Sequence, residues 1–181
     1  MSTVVRDPVR NACTTCAPLG ACLALRGVRG CMPLLHGAQG CATYIRRYLI
    51  GHFREPCDIP ASNFDESAAI FGGGPILTKA VANVVRQFHP ELLGVATTCL
   101  SETIGDDVPA LVREFNNSAT VEGGCRELPP IVTVSSPSYG GSHLLGFHRA
   151  VAALVEQLAG ESGPSHGGLN LLPGLDRKRH V

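Results

Sequence analysis

The sequence predicts an α/β fold, a Rossmann-like parallel sheet flanked by helices. Residues 91–99 and 129–136 are short apolar runs with β-branched residues, which are typical of buried strands. Residues 75–88 and 142–159 instead carry apolar residues at helical spacing. Alternation of helices with buried strands favours parallel pairing, because each intervening helix returns the chain to the starting edge of the sheet.

The first predicted elements lie between residues 40 and 71. Residues 40–53 predict a helix and residues 56–62 predict a strand. Residues 62–71 begin with a capping pattern, in which Ser62 or Asn63 is followed by acidic residues.

The middle of the chain predicts helix, strand and helix. Pro75 suits the first turn of the helix over 75–88. This helix places five apolar residues on one face: Leu77, Val81, Val84, Val85 and Phe88. After the strand at 91–99, Asp106 and Asp107 are expected to cap a helix over 107–117, because carboxylates stabilise a helix N-terminus.

The last predicted elements are the strand at 129–136 and the helix at 142–159. One face of this helix is expected to be apolar, formed by Phe147, Val151, Leu154, Val155 and Leu158. Residues 116–129 are polar and contain glycine, and predict a surface loop.

Length and composition limit the possible classes of protein. The chain has 181 residues, of which 44% are hydrophobic and 17% charged. We expect one domain over residues 1–159 and a linker or irregular tail over 160–181. The net charge of zero argues against nucleic-acid binding. No apolar run could span a bilayer, and residues 1–13 resemble no secretion signal, so a cytoplasmic protein is predicted.

The eight cysteines are the strongest chemical signal in the sequence. In a reducing compartment they remain thiols unless they bind metal or carry out redox chemistry. Cys99 follows a predicted parallel strand and precedes a helix, which places it at the edge where α/β proteins bind ligands. Cys16 and Cys41 adjoin glycine-containing segments, CAPLGA and HGAQG, that are expected to form tight turns. These three are candidate iron–sulfur ligands, although spacing alone also allows buried structural thiols.

Five segments together resemble the nitrogenase component 1 family, and its β-type subunits most of all. They are CAPLGA, PLLHGAQGCATYIRRYLIGHFREP, ESAAIFGGG, HPELLGVATTCLSETIGDDV and SSPSYGGSHLLGFH, in order over roughly residues 13–150. In that family, three cysteines of the β subunit hold half of an [8Fe-7S] P-cluster at the interface with the α subunit. The resemblance assigns these roles to Cys16, Cys41 and Cys99, and it places Ser138 near the cluster.

The resemblance further implies a function. An ATP-dependent iron protein reduces the cluster, which passes electrons to a metallocofactor in an α-type partner. This chain would be a subunit of an oxidoreductase complex and would not be catalytic alone. Its length allows only the first of three family domains.

Other family members remain open. Scaffold proteins for cofactor assembly share much of the pattern, but Cys99 favours a reductase subunit. Some nitrogenase-like reductases use a [4Fe-4S] cluster instead. A clusterless fragment that acts only as an interaction module is a third alternative.

Residues near these motifs carry weaker expectations. His36 is expected to stabilise the HGAQG turn by a hydrogen bond rather than to ligate metal. Glu102 is a candidate interface residue. A solvated helix face and a contact with an acidic partner or the anionic cluster are equally compatible with three arginines: Arg46, Arg47 and Arg54.

Overall fold

The centre of the fold is a sheet of three parallel strands in the order β1-β2-β3. The structure is a computed structural model that describes residues 15–121 and 128–160, with the backbone alone for 118–121. The strands are β1 (Cys31–His36), β2 (Leu92–Thr97) and β3 (Ile131–Val134). Within this part of the chain, the parallel sheet confirms the predicted α/β class.

Helices connect the strands and cover both faces of the sheet. In chain order the described helices are α1 (Ala17–Arg26), α2 (Gln39–Phe53), α3 (Glu66–Phe71), α4 (Gly74–Phe88), α5 (Cys99–Ile104), α6 (Val108–Val121) and α7 (His143–Leu158), with a 3-10 turn at Ser138–Gly140. None of the helices in the described ranges is long and apolar enough to cross a membrane.

Alternation along the strands divides the core into two clusters, one on each face of the sheet. Leu35 faces α1, α2 and α7, whereas Leu34 faces α4 and α6. Such alternation is expected when successive side chains point to opposite faces of a strand. The predicted stripe of α4 is confirmed, because Leu77, Val81 and Val84 are buried in the second cluster.

Helices α1 and α7 pack closely through two glycines. A Cβ added at Gly20 would lie 1.8 Å from the carbonyl oxygen of His143, and one at Gly146 would lie 1.9 Å from that of Ala17. The buried face of α7 therefore consists of small residues: Gly146, Ala150 and Ala153. The predicted apolar face was partly wrong, since Val155 and Leu158 are 52% and 44% exposed.

The strand predicted at 56–62 was wrong. The segment lies beside the end of β1, but in the described structure it forms only one isolated parallel bridge, between Leu35 and Ala61. The Leu35 N–H donates to the Pro60 carbonyl at 2.9 Å, and the Ser62 N–H donates to the Leu35 carbonyl at 2.9 Å. Pro56 and Pro60 lack N–H donors, which limits a longer ladder.

Two boundary predictions are corrected at helix ends. The cap of α3 is Asp65, which accepts a hydrogen bond from the Ala68 N–H at 2.8 Å, and neither Ser62 nor Asn63 serves that role. Residues 116–121, predicted as loop, continue α6. Residues 122–127 of that predicted loop, and residues 161–181 of the predicted tail, lie outside the described residues.

The two aspartates before α6 have different roles. Asp107 caps α6 as predicted, accepting from the Ala110 N–H at 3.0 Å. Asp106 does not cap this helix. It accepts instead from the Gly73 N–H at 3.0 Å and pairs with His36.

Candidate metal centre

Cys16, Cys41 and Cys99 each stand at the start of a helix. Cys16 is the residue before α1, Cys41 is the third residue of α2, and Cys99 is the first residue of α5. Two residues separate β1 from α2 and one residue separates β2 from α5, so Cys41 and Cys99 lie at the carboxyl edge of the sheet. Unpaired N–H groups at helix starts favour negative charge, so this edge suits thiolates.

Cys99 is positioned by a capping box. Thr98 is the N-cap of α5, and its N–H donates to the Ser101 hydroxyl at 3.0 Å. The Cys99 sulfur accepts a hydrogen bond from the Ser138 N–H at 3.2 Å. Ser138 thus contacts the candidate ligand through its backbone.

Cys41 follows a much shorter turn than the motif HGAQG predicts. Only Gly37 and Ala38 lie outside regular structure, because α2 begins at Gln39. A Cβ at Gly37 would lie 2.1 Å from the Thr98 hydroxyl oxygen, whereas one at Gly40 would meet nothing within 4 Å. Gly37 is therefore required for close approach of the protein's own two ligand-bearing segments.

Cys16 lies before a helix rather than in the predicted turn, since CAPLGA forms the start of α1. Cys16 pairs with Ser142 in an isolated antiparallel bridge, and the His143 N–H donates to the Thr15 carbonyl at 2.8 Å. These bonds hold the start of α1 against the start of α7. The glycine of CAPLGA, Gly20, serves the packing of those helices.

Cys41 and Cys99 lie close enough to Cys16 to influence its ionisation. Burial raises the pKa of Cys16, and the Leu19 N–H opposes this shift by stabilising the thiolate. Negative charge on Cys41 and Cys99 raises the Cys16 pKa further. Burial also raises the pKa of Cys41, with an added contribution from Cys99. A cationic metal would relieve this repulsion, and its binding would displace the protons.

The remaining described cysteines fit a structural role. Cys22 and Cys57 are buried in the core, and Cys31 is half-buried. Burial raises the pKa of Cys31 to about 11, which keeps its thiol protonated. Cys13 and Cys125 lie outside the described residues.

A second set of hydrogen bonds, which the sequence did not predict, joins β2 to the segment after β3. One carboxylate oxygen of Glu102 accepts from the hydroxyls of Thr97 and Ser135, both at 2.6 Å. The Ser136 N–H donates to the Thr97 hydroxyl at 2.8 Å. Within this chain, Glu102 therefore holds the loop that brings Ser138 to Cys99, and its role at an interface stays a prediction.

The donor set fits an iron–sulfur cluster. Cys16, Cys41 and Cys99 are free thiols, which are the ligands of such clusters, and the Ser138 N–H donates to the Cys99 sulfur. Within the described ranges, no three His, Cys, Asp or Glu side chains are grouped so as to hold a single metal ion. A cluster differs in this respect, because its thiolates bind separate irons and can stand further apart.

The arginines of α2 are partly engaged within the chain. Arg46 donates to the Cys57 carbonyl at 2.9 Å and lies 3.9 Å from Asp58. Arg47 is exposed, and Arg54 ends α2 in a left-handed conformation with φ of 56°. A role for Arg46 in tethering the 57–58 segment is thus visible.

Comparisons with known proteins agree on one family. The family model described as nitrogenase component 1 type oxidoreductase matches residues 16–179. The nitrogenase molybdenum-iron protein beta chain of Methanothermobacter marburgensis is 41% identical over 170 residues, covering 94% of this chain and 37% of the relative. That of Clostridium pasteurianum is 38% identical over 165 residues, covering 91% and 35%.

A vanadium-iron relative and a solved structure extend the comparison. The nitrogenase vanadium-iron protein beta chain of Trichormus variabilis is 38% identical over 170 residues, covering 93% of this chain and 36% of the relative. The solved structure of nitrogenase Cp1 at pH 6.5 matches with a TM-score of 0.76 and 35% identity, over 94% of this chain and 34% of that one.

The match therefore extends over nearly the whole chain but over little more than a third of each relative. With a family model covering residues 16–179 and β-chain relatives near 40% identity, this chain belongs to the nitrogenase component 1 type oxidoreductases, and the part that it matches is the β-chain type.

Proposed function

We propose that this chain is the first domain of a β-type subunit in a nitrogenase or nitrogenase-like reductase. In this proposal Cys16, Cys41 and Cys99 hold one half of an [8Fe-7S] P-cluster. The observation that carries it is the position of three free thiols at the starts of three helices, with Cys41 and Cys99 close enough to Cys16 to raise its pKa.

The chain's own residues would bind and tune the cluster. The three thiols lose their protons on binding, and the Ser138 N–H donates to the Cys99 sulfur, which stabilises negative charge there. When bound, the cluster supplies a centre that accepts and releases electrons. The relay would run from an ATP-dependent iron protein to a metallocofactor held by an α-type partner, so this chain alone would not be catalytic.

A partner is required because three thiolates complete only half of such a cluster. Exposed apolar and aromatic side chains lie near the cysteines in the chain, namely Tyr44, Tyr48, Leu100 and Tyr139. Exposed groups of this kind are typical of protein interfaces. An α-type subunit covering this edge would bury them and exclude water from the cluster. The assembly would be a heterotetramer in the cytoplasm, where thiols stay reduced.

Co-expression with the α-type subunit tests the proposal. The complex would be purified without oxygen and assayed for iron, sulfide and EPR signals, with Cys41→Ala as the ligand variant and Cys31→Ala as its matched control. We expect about eight irons per αβ pair, lost in Cys41→Ala and retained in Cys31→Ala.

The iron count also separates the alternatives. About four irons per pair would favour a [4Fe-4S] cluster that takes its remaining ligand from the partner. An intact complex without iron would refute the relay, and would leave a scaffold or a clusterless interaction fragment.

A further inference from the structure

The side chain of His36 is fully buried, at 0% exposure, at the end of β1. Its Nδ1 lies 3.1 Å from the Ser62 hydroxyl oxygen, and its Nε2 lies 3.1 Å from a carboxylate oxygen of Asp106. Its main-chain carbonyl accepts from both the N–H and the hydroxyl of Thr98, at 3.2 and 3.0 Å. Three segments distant in sequence thus meet at this one residue.

The partners determine which imidazole nitrogen carries the proton. Asp106 is an acceptor that also takes the Gly73 N–H, so Nε2 of His36 must donate to it. Burial lowers the pKa of His36 although Asp106 opposes that shift, which favours the neutral ring. Nδ1 is then an acceptor, and the Ser62 hydroxyl donates to it.

Ser62 links His36 to the segment that carries Cys41. The hydroxyl oxygen of Ser62 accepts from the Gly37 N–H at 3.0 Å. Gly37 and Ala38 are the only residues between β1 and α2, so fixing Gly37 fixes the point from which α2 departs. Cys41 stands in the first turn of that helix.

Asp106 and the His36 carbonyl hold the two ends of α5. Thr98, bound to the carbonyl, directly precedes Cys99 at the helix start. Asp106 lies two residues beyond the helix end, and its N–H donates to the Ser101 carbonyl at 3.1 Å. His36 therefore contacts the chain on both sides of the helix that begins with Cys99.

We propose that His36 is a positioning residue that fixes Cys41 relative to Cys99 through its bonds to Ser62, Asp106 and Thr98. The inference rests on the proposed function only in taking both cysteines as ligands of one cluster. A buried polar hub needs every partner satisfied, which restricts the permitted geometries more than apolar packing would. The cysteines would then be spaced correctly before any cluster binds.

Cross-linking of the iron-free, reduced chain tests this spacing. A short bismaleimide would join Cys41, which is exposed, to Cys99, which is half-buried, and peptide mass spectrometry would quantify that product against single alkylation. The variants are Ser62→Ala, Ser62→Thr, which keeps the hydroxyl, and His36→Gln. His148→Gln is the matched control, because His148 is exposed.

We expect Ser62→Ala and His36→Gln to lower the cross-linked fraction at least threefold, since the effective concentration of one thiol at the other falls. Ser62→Thr should restore the parent value and His148→Gln should leave it unchanged. Far-UV circular dichroism identifies any unfolded variant, and Ser62→Ala, the smaller change, then decides. Equal cross-linking in the parent and a folded Ser62→Ala variant, or none in the parent, would overturn the inference.

Nitrogen-15 NMR of the histidine side chains adds a signature that general destabilisation would not give. The parent should show His36 as the neutral tautomer protonated at Nε2, and any other state overturns the network. Neither measurement requires iron. An iron-free complex would therefore refute the proposed function, and cross-linking and NMR would still decide the positioning role of His36 separately.

Discussion

Replacing Gly37 with alanine tests directly how closely the two ligand-bearing segments approach. The new methyl group would lie 2.1 Å from the Thr98 hydroxyl oxygen, 2.6 Å from its Cγ2 and 2.8 Å from its Cβ. Thr98 is 1% exposed, and its hydroxyl donates to the His36 carbonyl. The side chain cannot rotate away without losing this bond and disturbing the cap of α5.

The cost follows from these contacts. Forcing an extra methyl group into a packed site costs about 1–3 kcal/mol. Loss of the Thr98 bond to the His36 carbonyl adds about 1 kcal/mol. We therefore expect Gly37→Ala to lower the free energy of unfolding by about 2–4 kcal/mol.

Urea denaturation of the 181-residue chain measures this value, and Gly40→Ala provides the matched control. Gly40 lies three residues away in the same motif, inside α2, where an added Cβ meets nothing within 4 Å. Alanine should stabilise that position by roughly 0.5–1 kcal/mol, because glycine is the poorer helix former. The two substitutions should therefore change stability in opposite directions.

A double-mutant cycle with Thr98→Ala identifies the cause. Removing the threonine hydroxyl and methyl relieves the two shortest contacts, so Gly37→Ala should cost less in that background. If Gly37→Ala were no more costly than about 0.5 kcal/mol, or if its cost were unchanged by Thr98→Ala, the close approach would not be what requires glycine.

Three further predictions follow from packing and ionisation. Gly20→Ala places a methyl group 1.8 Å from a backbone oxygen and should lower the free energy of unfolding, measured by thermal unfolding, by more than about 3 kcal/mol. Gly51→Ala adds a methyl group in open space and should not destabilise the fold. Equal effects of the two substitutions would contradict the α1–α7 packing. Between the unfolded pKa of His36, about 6.5, and its lower folded value, only the unfolded chain binds the proton. Stability should thus fall as pH falls through that range, by up to about 1.4 kcal/mol per pH unit, and His36→Gln should reduce the slope, so an unchanged slope would refute the buried neutral ring. Asp107→Ala should lower the free energy of unfolding by about 1 kcal/mol, because α6 loses its cap. Asp106→Ala should lower it by at least about 2 kcal/mol, because the donors on His36 and Gly73 lose their acceptor. The reverse order in urea denaturation would contradict the assigned roles.

The elements predicted correctly from the sequence are those with a strong periodic pattern. Helix α4 buries the predicted stripe, and β2 lies within the apolar run at 91–99. β2 is buried along its whole length, so it appears in the sequence as a continuous apolar run that can be recognised without knowing its neighbours.

Helix α1 and strand β1 were not predicted, because each contains residues that are unusual in a helix or a strand. Helix α1 has Pro18 and Gly20 in its first turns, and strand β1 has a proline at position 33. Pro18 is acceptable because the first helical N–H groups have no partner within the helix. Gly20 is explained only by His143, which is more than a hundred residues away. Such contacts cannot be inferred from local sequence.

The spacing of the candidate ligands could not be predicted from the sequence either, because much of it is set by bonds between residues next to the cysteines. The Thr98 side chain ties Cys99 to the end of β1, and the Thr15 carbonyl ties the residue before Cys16 to α7. The Ser138 N–H, in contrast, donates directly to the Cys99 sulfur. If backbone bonds between neighbouring segments set the thiol positions, removing one thiol should leave the other two in place. Cys41→Ala should therefore fold as stably as the parent chain while losing iron, whereas a fold that depended on the thiols would lose stability with the first substitution.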